Sequence, residues 1–452
     1  MGDIMTFEEL RDKYPNFVYE KYEINELEDK YELKYYFSIP GLTEFNPIVR
    51  LPKSNNTLDR ELFEYLVFHI GLVELVSYFK CTCSPNVIIN AGYIDENQVE
   101  WFKKLYYLGL GEFRYINNID CPYDTFMNIK VTSERKFNYN INYNGTGNMI
   151  AIGGGKDSIV SLNLLKGMDN TCFMINPKVP GIESVKTAGY DNLYSIERII
   201  DKRLIELNSI GFLNGHTPFS AAVAFISYLS AYINGRKYIV LSNEGSANEP
   251  TVLGTKINHQ YSKTYEFEND FNEYTKKYFN IDIHYFSLLR CLSEFQIGML
   301  FSQYKDYHKV FKSCNVGSKS IPWKWCCNCA KCLFVYIILS PFLYKDNLVD
   351  IFGEDLYENK DLLNIFIELC GYSDKKPFEC VGTYSEVRYA ISLVINKFDN
   401  LPYLLQYYKD NYPLELNHDY INDFNDENNI PNEFLNIVKE ELQRVKEVIN
   451  ND

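Results

Sequence analysis

The chain has 452 residues, of which 46% are hydrophobic and 23% are charged, and its formal net charge at pH 7 is −15. That length predicts roughly two or three domains with substantial cores. The acidic balance argues against a tight nucleic-acid binder, since phosphate contacts need clustered Lys and Arg, and we expect no nucleic-acid partner.

The sequence predicts neither an export signal nor a membrane-spanning segment. Its N-terminus is acidic and has no apolar core segment, so we predict no signal peptide. The apolar run at 332–344 is too short to cross a bilayer and is interrupted by Ser340 and Pro341. Twelve cysteines without export signals favour a reducing compartment, where thiols bind metals or stay free. We therefore expect a cytoplasmic protein without a membrane partner.

Residues 1–147 carry no cluster of catalytic side chains. Alternation of aromatic and polar residues predicts strands, and apolar periodicity predicts helices. The predicted elements are strands at 17–22 and 31–37 and helices at 58–79 and 98–108. We interpret 1–147 as an N-terminal α+β domain that helps to shape a substrate pocket. The Asn-, Tyr- and Gly-rich segment 138–148 is the predicted linker.

One short stretch then predicts a strand, a tight turn and a helix in immediate succession. Residues 149–152 are apolar, 153–155 are glycines, and a helical pattern begins at Ser158. Glycines let backbone N–H groups approach an anion closely, and a helix N-terminus favours negative charge. Lys156 adds a mobile cation and Asp157 a ligand for Mg²⁺. The stretch predicts a cradle for phosphate groups.

The spacing excludes two common phosphate-binding motifs. A Walker loop would need Gly at 150 and Ser or Thr at 157, where the chain has Ile150 and Asp157. A dinucleotide fingerprint on Gly153 and Gly155 would need a third Gly in place of Ser158. The order that remains resembles the S-G-G-x-D-S signature of the PP-loop ATP pyrophosphatases, with Gly153 replacing the usual Ser. That resemblance implies cleavage of ATP between its α and β phosphates.

From 149 onward, strand and helix patterns alternate, which predicts an α/β fold with a doubly wound parallel sheet. The predicted strands are 149–152, 171–175, 238–242 and 281–286, and the predicted helices are 158–167, 190–209, 219–233 and 291–303. Ligands of such sheets lie beyond the carboxyl ends of the strands. We interpret 148–345 as the ATP-binding catalytic domain and 346–452 as a helical C-terminal region with an amphipathic helix at 433–449.

The loop that follows the strand at 238–242 has the densest set of polar side chains. A solvated surface loop would account for its Asn, Ser and Gly residues, but not for its concentration of ionisable groups. We predict proton transfer by His259, Lys263 and Glu244, with His259 first because an ordinary imidazole titrates near neutral pH. The predicted substrate-positioning residues are Asn243, Ser246 and Asn248.

A cysteine cluster follows, consisting of Cys314, Cys326, Cys327, Cys329 and Cys332. Its spacing suits tetrahedral Zn²⁺, which prefers four S or N ligands. A ferredoxin-type iron–sulfur cluster would need Cys where the chain has Tyr336, while a redox pair is a further alternative. We predict a structural zinc on Cys314, Cys326, Cys329 and Cys332, with Cys327 able to replace Cys326. The other cysteines, Cys380 among them, are predicted core residues.

Three stretches together, 153–158, 242–268 and 325–342, resemble the UDP-N-acetylmuramoyl-L-alanyl-L-glutamate epimerase family (MurL type). The loop 376–383, which we expect to cap the active site, adds to the likeness. The resemblance implies inversion of the terminal L-glutamate of UDP-MurNAc-L-Ala-L-Glu to D-glutamate for peptidoglycan synthesis, using ATP and Mg²⁺. The residues implied to bind ATP and its Mg²⁺ are Gly153, Gly154, Gly155, Lys156, Asp157 and Ser158.

Other functions share the same phosphate cradle. An ATP-dependent ligase or amidotransferase would let an amine capture the adenylated carboxylate, although the sequence declares no amine site. A nucleotide-binding regulator without chemistry is disfavoured by the presence of both Lys156 and Asp157. A tRNA-modifying thiolase is disfavoured by the acidic balance. The expected substrate is a small molecule or a nucleotide-linked peptide.

Overall fold

A computed structural model describes residues 5–252, 254–255, 257–259, 261–317, 323–398 and 400–451. The strands of these residues are β1 (Asn16–Glu26), β2 (Lys30–Ile39), β3 (Thr43–Phe45), β4 (Ile48–Pro52), β5 (Asn86–Ile89), β6 (Asn128–Val131), β7 (Asn148–Ala151), β8 (Asn170–Ile175), β9 (Leu193–Ile199), β10 (Tyr238–Leu241) and β11 (His284–Ser287).

The helices of these residues are α1 (Phe7–Lys13), α2 (Arg60–Glu74), α3 (Val76–Phe79), α4 (Glu96–Gly109), α5 (Gly111–Ile116), α6 (Tyr123–Phe126), α7 (Lys156–Leu164), α8 (Val179–Thr187), α9 (Lys202–Ser209), α10 (Phe219–Asn234), α11 (Tyr265–Tyr278), α12 (Glu294–Gln303), α13 (Ala330–Leu339), α14 (Lys345–Phe352), α15 (Leu363–Leu369), α16 (Tyr384–Ile395), α17 (Tyr403–Asn411) and α18 (Asn432–Asn451).

All the strands join one sheet in the order β11-β10-β7-β8-β9-β4-β2-β1-β5-β6, with β3 paired to β2. The segment from β11 to β9 is parallel throughout. From β7 the chain proceeds to β8 and β9 on one side and later to β10 and β11 on the other. A topological switch point therefore lies between β7 and β10, where parallel sheets commonly bind ligands.

Both faces of the parallel strands are buried, because successive residues along each strand enter different hydrophobic clusters. In β7, Met149 joins one cluster and Ile150 the other, and in β10 Ile239 and Val240 divide in the same way. Residues of α10 belong to the first cluster, and residues of α7 and α12 to the second. Burial on both faces explains the continuously apolar strands. The α/β class and the parallel segment are confirmed.

The N-terminal strands continue the same sheet, since β4 pairs antiparallel with β9. The two strands predicted at 17–22 and 31–37 are present within β1 and β2, which pair antiparallel. The linker at 138–148 runs without helix or strand up to β7, and it is held against the rest of the fold. Tyr139 donates to the carbonyl of Tyr278 at 2.7 Å, and Tyr143 to that of Arg236 at 2.7 Å. The division at 147/148 and 345/346 stays a prediction.

The predicted helix at 58–79 is present as α2 followed by α3. The helical segment Arg60–Phe79 is long and apolar enough to cross a membrane by length and composition alone. However, 94% of its most apolar stretch is buried inside the fold. Asp59 caps α2 by accepting from the N–H of Leu62 at 2.9 Å. The segment is therefore packed as a core helix.

The prediction of one helix over 190–209 is wrong. This segment forms β9, a turn and then the shorter helix α9, which begins after Asp201. Asp201 caps α9 by accepting from the N–H of Arg203 at 2.9 Å. Strand β9 lies between β8 and β4 and exchanges hydrogen bonds with both. Its pairing with distant strands outweighs the local helical pattern.

The other predicted elements of the parallel region are present with ends shifted by a few residues. The predicted strand at 281–286 begins later, at His284, and the predicted helix at 291–303 begins at Glu294. After Pro341 the described chain is mainly helical, as predicted, and its last helix is α18.

Candidate functional site

A cavity of about 410 Å³ opens at the carboxyl ends of β7, β8 and β10, at the switch point of the sheet. Its size and place are typical of a small-molecule site in an α/β fold. Its wall includes Gly153, Gly155, Asp157, Ser158, Asn176, Lys178, Asn243, Glu244, Lys263, Ser313, Asn315, Lys331, Glu379 and Cys380. Segments far apart in sequence therefore meet around one space.

The glycine turn forms the floor of the cavity between β7 and α7. Gly154 has φ +82°, and a Cβ there would lie 2.6 Å from the backbone nitrogen of Gly181, so only glycine fits. A Cβ at Gly153 would meet no atom within 4 Å. The hydroxyl of Ser158 accepts from the N–H of Gly154 at 3.2 Å and donates to the carbonyl of Gly155 at 3.1 Å. The helix N-terminus thus faces the cavity with a fixed backbone.

Lys156 does not line the cavity; its side chain is 1% exposed and ion-paired with the carboxylates of Asp157 and Glu294. Burial opposes its charge, but the two carboxylates raise the pKa of Lys156 above its ordinary value. Burial raises the pKa of Glu294 above its ordinary value and Asp157 and Glu244 add to that rise, whereas the ammonium of Lys156 opposes it and favours the carboxylate. Lys156 therefore neutralises an acidic group at the start of α7.

The loop after β10 is held by a buried arginine that we did not predict. Arg290, which follows β11, is fully buried and donates to the carbonyl of Glu244 at 2.8 Å and to that of Lys263 at 2.6 Å. Its charge is balanced by Glu268, whose carboxylate lies 3.2 Å away. This one guanidinium fixes the backbone at both predicted proton-transfer residues that line the cavity.

The three predicted substrate-positioning residues occupy different environments. Asn243 lines the cavity and donates to the hydroxyl of Ser287 at 3.1 Å. Ser246 is buried and donates to the carboxylate of Glu244 at 3.3 Å. Asn248 accepts from the N–H of Tyr265 at 2.9 Å, at the start of α11. Only Asn243 of the three is a wall residue; roles for Ser246 and Asn248 in substrate binding stay predictions.

Lys263 meets Cys380 at one end of the cavity. Its ammonium lies 3.0 Å from the sulfur of Cys380, and the ammonium of Lys331 donates to the backbone carbonyl of the same residue. Burial opposes the ionisation of this thiol, but Lys263, His259 and Lys331 lower the pKa of Cys380 to about 6. The prediction that Cys380 is a core residue is wrong, because it lines the cavity.

His259 lies behind Cys380 rather than on the cavity wall. Its Nδ1 contacts the carboxylate of Glu112, and its ring shares a hydrogen bond with the Cys380 thiol. Burial opposes protonation, but these two partners raise the pKa of His259 to about 9. The ring of His216 lies 4.2 Å away between centroids, and burial together with the charge of His259 lowers the pKa of His216 to about 4. His259 is the protonated member of the pair.

Part of the loop that we expected to cap the active site lines the cavity. Lys375 forms a bridge with Val252, and Lys376 pairs with Glu249 at 2.5 Å. These contacts dock the segment 375–380 on the loop after β10, so that Glu379 and Cys380 reach the cavity.

The cysteine cluster forms a set able to hold one metal ion. The sulfurs of Cys314, Cys326, Cys329 and Cys332 all lie within 4.8 Å of one another. The separations of 3.8 Å for Cys314–Cys329, 3.7 Å for Cys326–Cys332 and 3.5 Å for Cys329–Cys332 are near the edge of about 3.8 Å in a tetrahedral Zn–S₄ site. Cys327 instead donates to the carbonyl of Phe352 at 3.1 Å. The geometry therefore favours Cys326 over Cys327 as a member of the four-thiol set.

This cluster braces the wall of the cavity. Ser313 and Asn315, which flank Cys314, both line the cavity, as does Lys331 beside Cys332. The N–H of Lys312 donates to the carbonyl of Gly154 at 2.9 Å. The segment that leads into Cys314 is therefore joined to the glycine turn.

Sequence reasoning missed five residues of the site: Glu112, Arg290, Glu294, Lys331 and Cys380. Arg290 and Glu294 follow a predicted strand at its carboxyl end, which was a usable signal. Cys380 lies in the loop 376–383, which we expected to cap the active site, so the loop was found but its thiol was not. Glu112 reaches the site only through tertiary packing, and no local pattern distinguishes it.

Comparisons with known proteins cover most of the chain. The sequence matches the MurL N-terminal domain over residues 8–288 and the MurL C-terminal domain over residues 310–410. A protein from Xanthomonas oryzae pv. oryzae named UDP-N-acetyl-alpha-D-muramoyl-L-alanyl-L-glutamate epimerase is 35% identical over 337 residues, which cover 73% of this chain and 74% of the relative.

Two further proteins with the same name are similar. The one from Salinispora tropica is 34% identical over 365 residues, covering 78% of this chain and 79% of its own length. The one from a Micromonospora species is 34% identical over 334 residues, covering 72% of this chain and 73% of its own length.

Proposed function

The chain belongs to the MurL family, whose named relatives are epimerases, and from that premise we propose that it inverts the terminal L-glutamate of UDP-MurNAc-L-Ala-L-Glu to D-glutamate. It is an enzyme of the isomerase class. The reaction supplies D-glutamate for peptidoglycan in the cytoplasm. The proposed activation uses ATP to form an acyl-adenylate and releases pyrophosphate; after epimerisation, water hydrolyses the acyl-adenylate, which releases AMP and restores the carboxylate.

One observation carries the proposal. The cavity brings the glycine turn and the ionisable groups Glu244 and Lys263 to a single wall at the switch point of the sheet. A phosphate cradle and groups able to move a proton are what adenylation followed by epimerisation requires. The PP-loop identity of the fold is part of the same proposal, supported by the strand, turn and helix at 149–164.

Activation explains why an epimerase would use ATP. An α-proton beside a carboxylate is hardly acidic, because its removal would build a dianion. Adenylation neutralises the carboxylate, so the carbanion can delocalise into the acyl group. The backbone N–H groups at the start of α7 and the hydroxyl of Ser158 would bind the phosphates, and Asp157 would hold Mg²⁺, which stabilises charge on the departing pyrophosphate. Asn243 would orient the substrate.

Proton transfer is assigned to the group formed by Lys263, Glu244 and His259. Lys263 and Glu244 line the cavity directly, while His259 acts from behind the wall through its hydrogen bond to Cys380. The backbone of Lys263 and Glu244 is fixed by Arg290, which limits the motion of both groups.

The four-thiol set is proposed to hold structural Zn²⁺. All four ligands are sulfur, and a closed four-thiolate site leaves no position for substrate. The metal would stabilise the wall formed by Ser313, Asn315 and Lys331. Cys314, Cys326, Cys329 and Cys332 are the proposed ligands.

One incubation tests the function. Purified protein is mixed with ATP, Mg²⁺, UDP-MurNAc-L-Ala-L-Glu and ammonium chloride as an amine donor in heavy water, and AMP, amide product, α-deuterium and glutamate chirality are measured. We expect AMP together with a deuterated D-glutamyl product. An amide product without α-deuterium would support the alternative, a ligase or amidotransferase that uses the same adenylate, and epimerisation without ATP would overturn the activation step.

A further inference from the structure

We propose that Cys380 is a catalytic residue that carries one of the two proton transfers at the glutamyl α-carbon. This inference rests on the proposed epimerase function and deepens it. The proposal identifies the atom that meets the substrate, the sulfur of Cys380, and makes His259 a positioning residue.

The first support is geometric. Cys380 lines the cavity that also contains Asp157, Ser158 and Glu244. His259, the first choice from sequence, does not line it and shares its hydrogen bond with Cys380 instead. A group that removes a proton from carbon must reach the substrate. Cys380 is exposed to the cavity in which the substrate would bind, whereas His259 is separated from that cavity by Cys380.

The second support is the arrangement of three side chains in a row. The carboxylate of Glu112 contacts Nδ1 of His259, and the ring of His259 is hydrogen-bonded to the Cys380 thiol. A nucleophile or base held by an imidazole, which is oriented in turn by a carboxylate, is a recurrent way to activate a thiol. Glu112 lies on α5, far from His259 and Cys380 in sequence, so these three side chains are brought together only by the tertiary structure.

The third support is charge. The groups that face the sulfur are Lys263 from the loop after β10, His259 from the same loop and Lys331 from α13. All three favour the thiolate, and the lowered pKa of Cys380, about 6, agrees with that arrangement. A thiolate whose pKa lies near neutral pH is well matched to both taking and returning a proton.

The step balances as follows. The Cα–H bond of the activated glutamyl group breaks, its proton forms an S–H bond with Cys380, and the electron pair delocalises into the acyl carbonyl as an enolate. The pair then returns to the α-carbon, where a solvent-derived proton adds to the opposite face. In the reverse direction the S–H group of Cys380 supplies the proton.

The test separates adenylation from epimerisation. For the full-length protein and for Cys380→Ala and Cys380→Ser, two rates are measured: ATP–pyrophosphate exchange dependent on UDP-MurNAc-L-Ala-L-Glu, and formation of the D-glutamyl product. We expect exchange to stay within about threefold of the unaltered protein, while D-product formation falls at least about 100-fold, the usual effect of losing a general base. Cys121→Ala, a half-buried thiol outside the cavity, is the matched control and should change neither rate.

The outcomes are distinct. D-product formation within tenfold of normal in Cys380→Ala would overturn the role of Cys380, even if the epimerase function stands. An unaltered protein that shows neither exchange nor D-product would overturn the proposed function itself. Mass spectrometry of the unaltered protein during turnover adds a check: a covalent glutamyl-peptide adduct on Cys380 would overturn proton transfer in favour of acyl transfer to sulfur. If both Cys380 variants lose exchange while folded, by circular dichroism, the residue serves binding and the proposal fails.

Discussion

The ammonium of Lys156 is buried against the carboxylate of Glu294, although the two residues are 138 positions apart. Both side chains are 1% exposed. The pair therefore joins the start of α7 to the start of α12, directly beneath the glycine turn. A buried ion pair of this kind is costly to break from one side, because the remaining charge has no partner.

We expect Lys156→Met to lower the free energy of unfolding by about 3 kcal/mol, since it strands the carboxylates of Glu294 and Asp157. The double variant Lys156→Met/Glu294→Gln should recover part of that loss, because one buried charge is removed with its partner. Urea unfolding measures both. Lys186→Met, which removes the exposed pair with Glu183, is the matched control and should change stability by less than about 0.5 kcal/mol. Strict additivity in the double variant would contradict a direct pairing.

The glycine turn allows a sharp comparison between two neighbours. Gly154→Ala should destabilise the protein by about 2 kcal/mol, because φ is +82° and the new Cβ would lie 2.6 Å from the nitrogen of Gly181. It should also weaken ATP–pyrophosphate exchange by moving the turn. Gly153→Ser introduces a side chain into open space and should leave stability within about 0.5 kcal/mol. Equal losses in the two variants would show that the turn does not have the described conformation.

The cysteine cluster predicts about one zinc per chain. Cys326→Ser should lose the metal, since its sulfur belongs to the four-thiol set, whereas Cys327→Ser should keep it, because that thiol donates to the carbonyl of Phe352. Plasma emission analysis of freshly purified protein gives the stoichiometry of zinc and iron. Iron in the unaltered protein, or zinc lost equally from both variants, would contradict the assignment.

Much of this architecture could be predicted from local sequence. Apolar patterning and turn chemistry predict the strand and the helix that flank the glycines. The spacing of four cysteines predicts a metal-binding set. The segment 190–209 could not be predicted in the same way, because β9 is defined by pairing with β8 and β4. The sequence alone did not distinguish Cys326 from Cys327 as a member of the four-thiol set. In the structure Cys327 has φ +55°, and its side chain is directed away from the other thiols.

The proposed proton-transfer site was the least accessible to sequence reasoning. His259 was found from its residue type and its loop, but its contact with Glu112 joins positions 147 residues apart. Cys380 was predicted to be a core residue, although the loop 376–383 that carries it was expected to cap the active site. The chemical character of its thiol comes from Lys263 and His259, which are distant in sequence and lie beside it in the folded chain.

The pH dependence of Cys380 gives the last prediction. Iodoacetamide reacts with thiolates, so the rate of its modification follows the ionised fraction of the thiol. Burial raises the pKa of Cys380, but Lys263 and His259 outweigh it and lower the value from 9.0 to about 6. The rate should therefore be high above that pKa and fall as the pH drops through about 6, when the sulfur takes up a proton. Peptide mass spectrometry at each pH follows Cys380 separately from the other thiols.

Substitution of the neighbouring imidazole shows whether it produces the shift. His259→Gln removes a positive charge and a hydrogen bond from the thiolate, so the midpoint of modification should move upward by at least about one pH unit. His308→Gln, which alters a histidine beside Phe301 away from the cavity, is the control and should leave the midpoint in place. A midpoint near 9 in the unaltered protein, the ordinary value of the thiol, would mean that Lys263 and His259 do not stabilise the thiolate. Cys380 would then be mostly protonated at neutral pH and unable to act as the base.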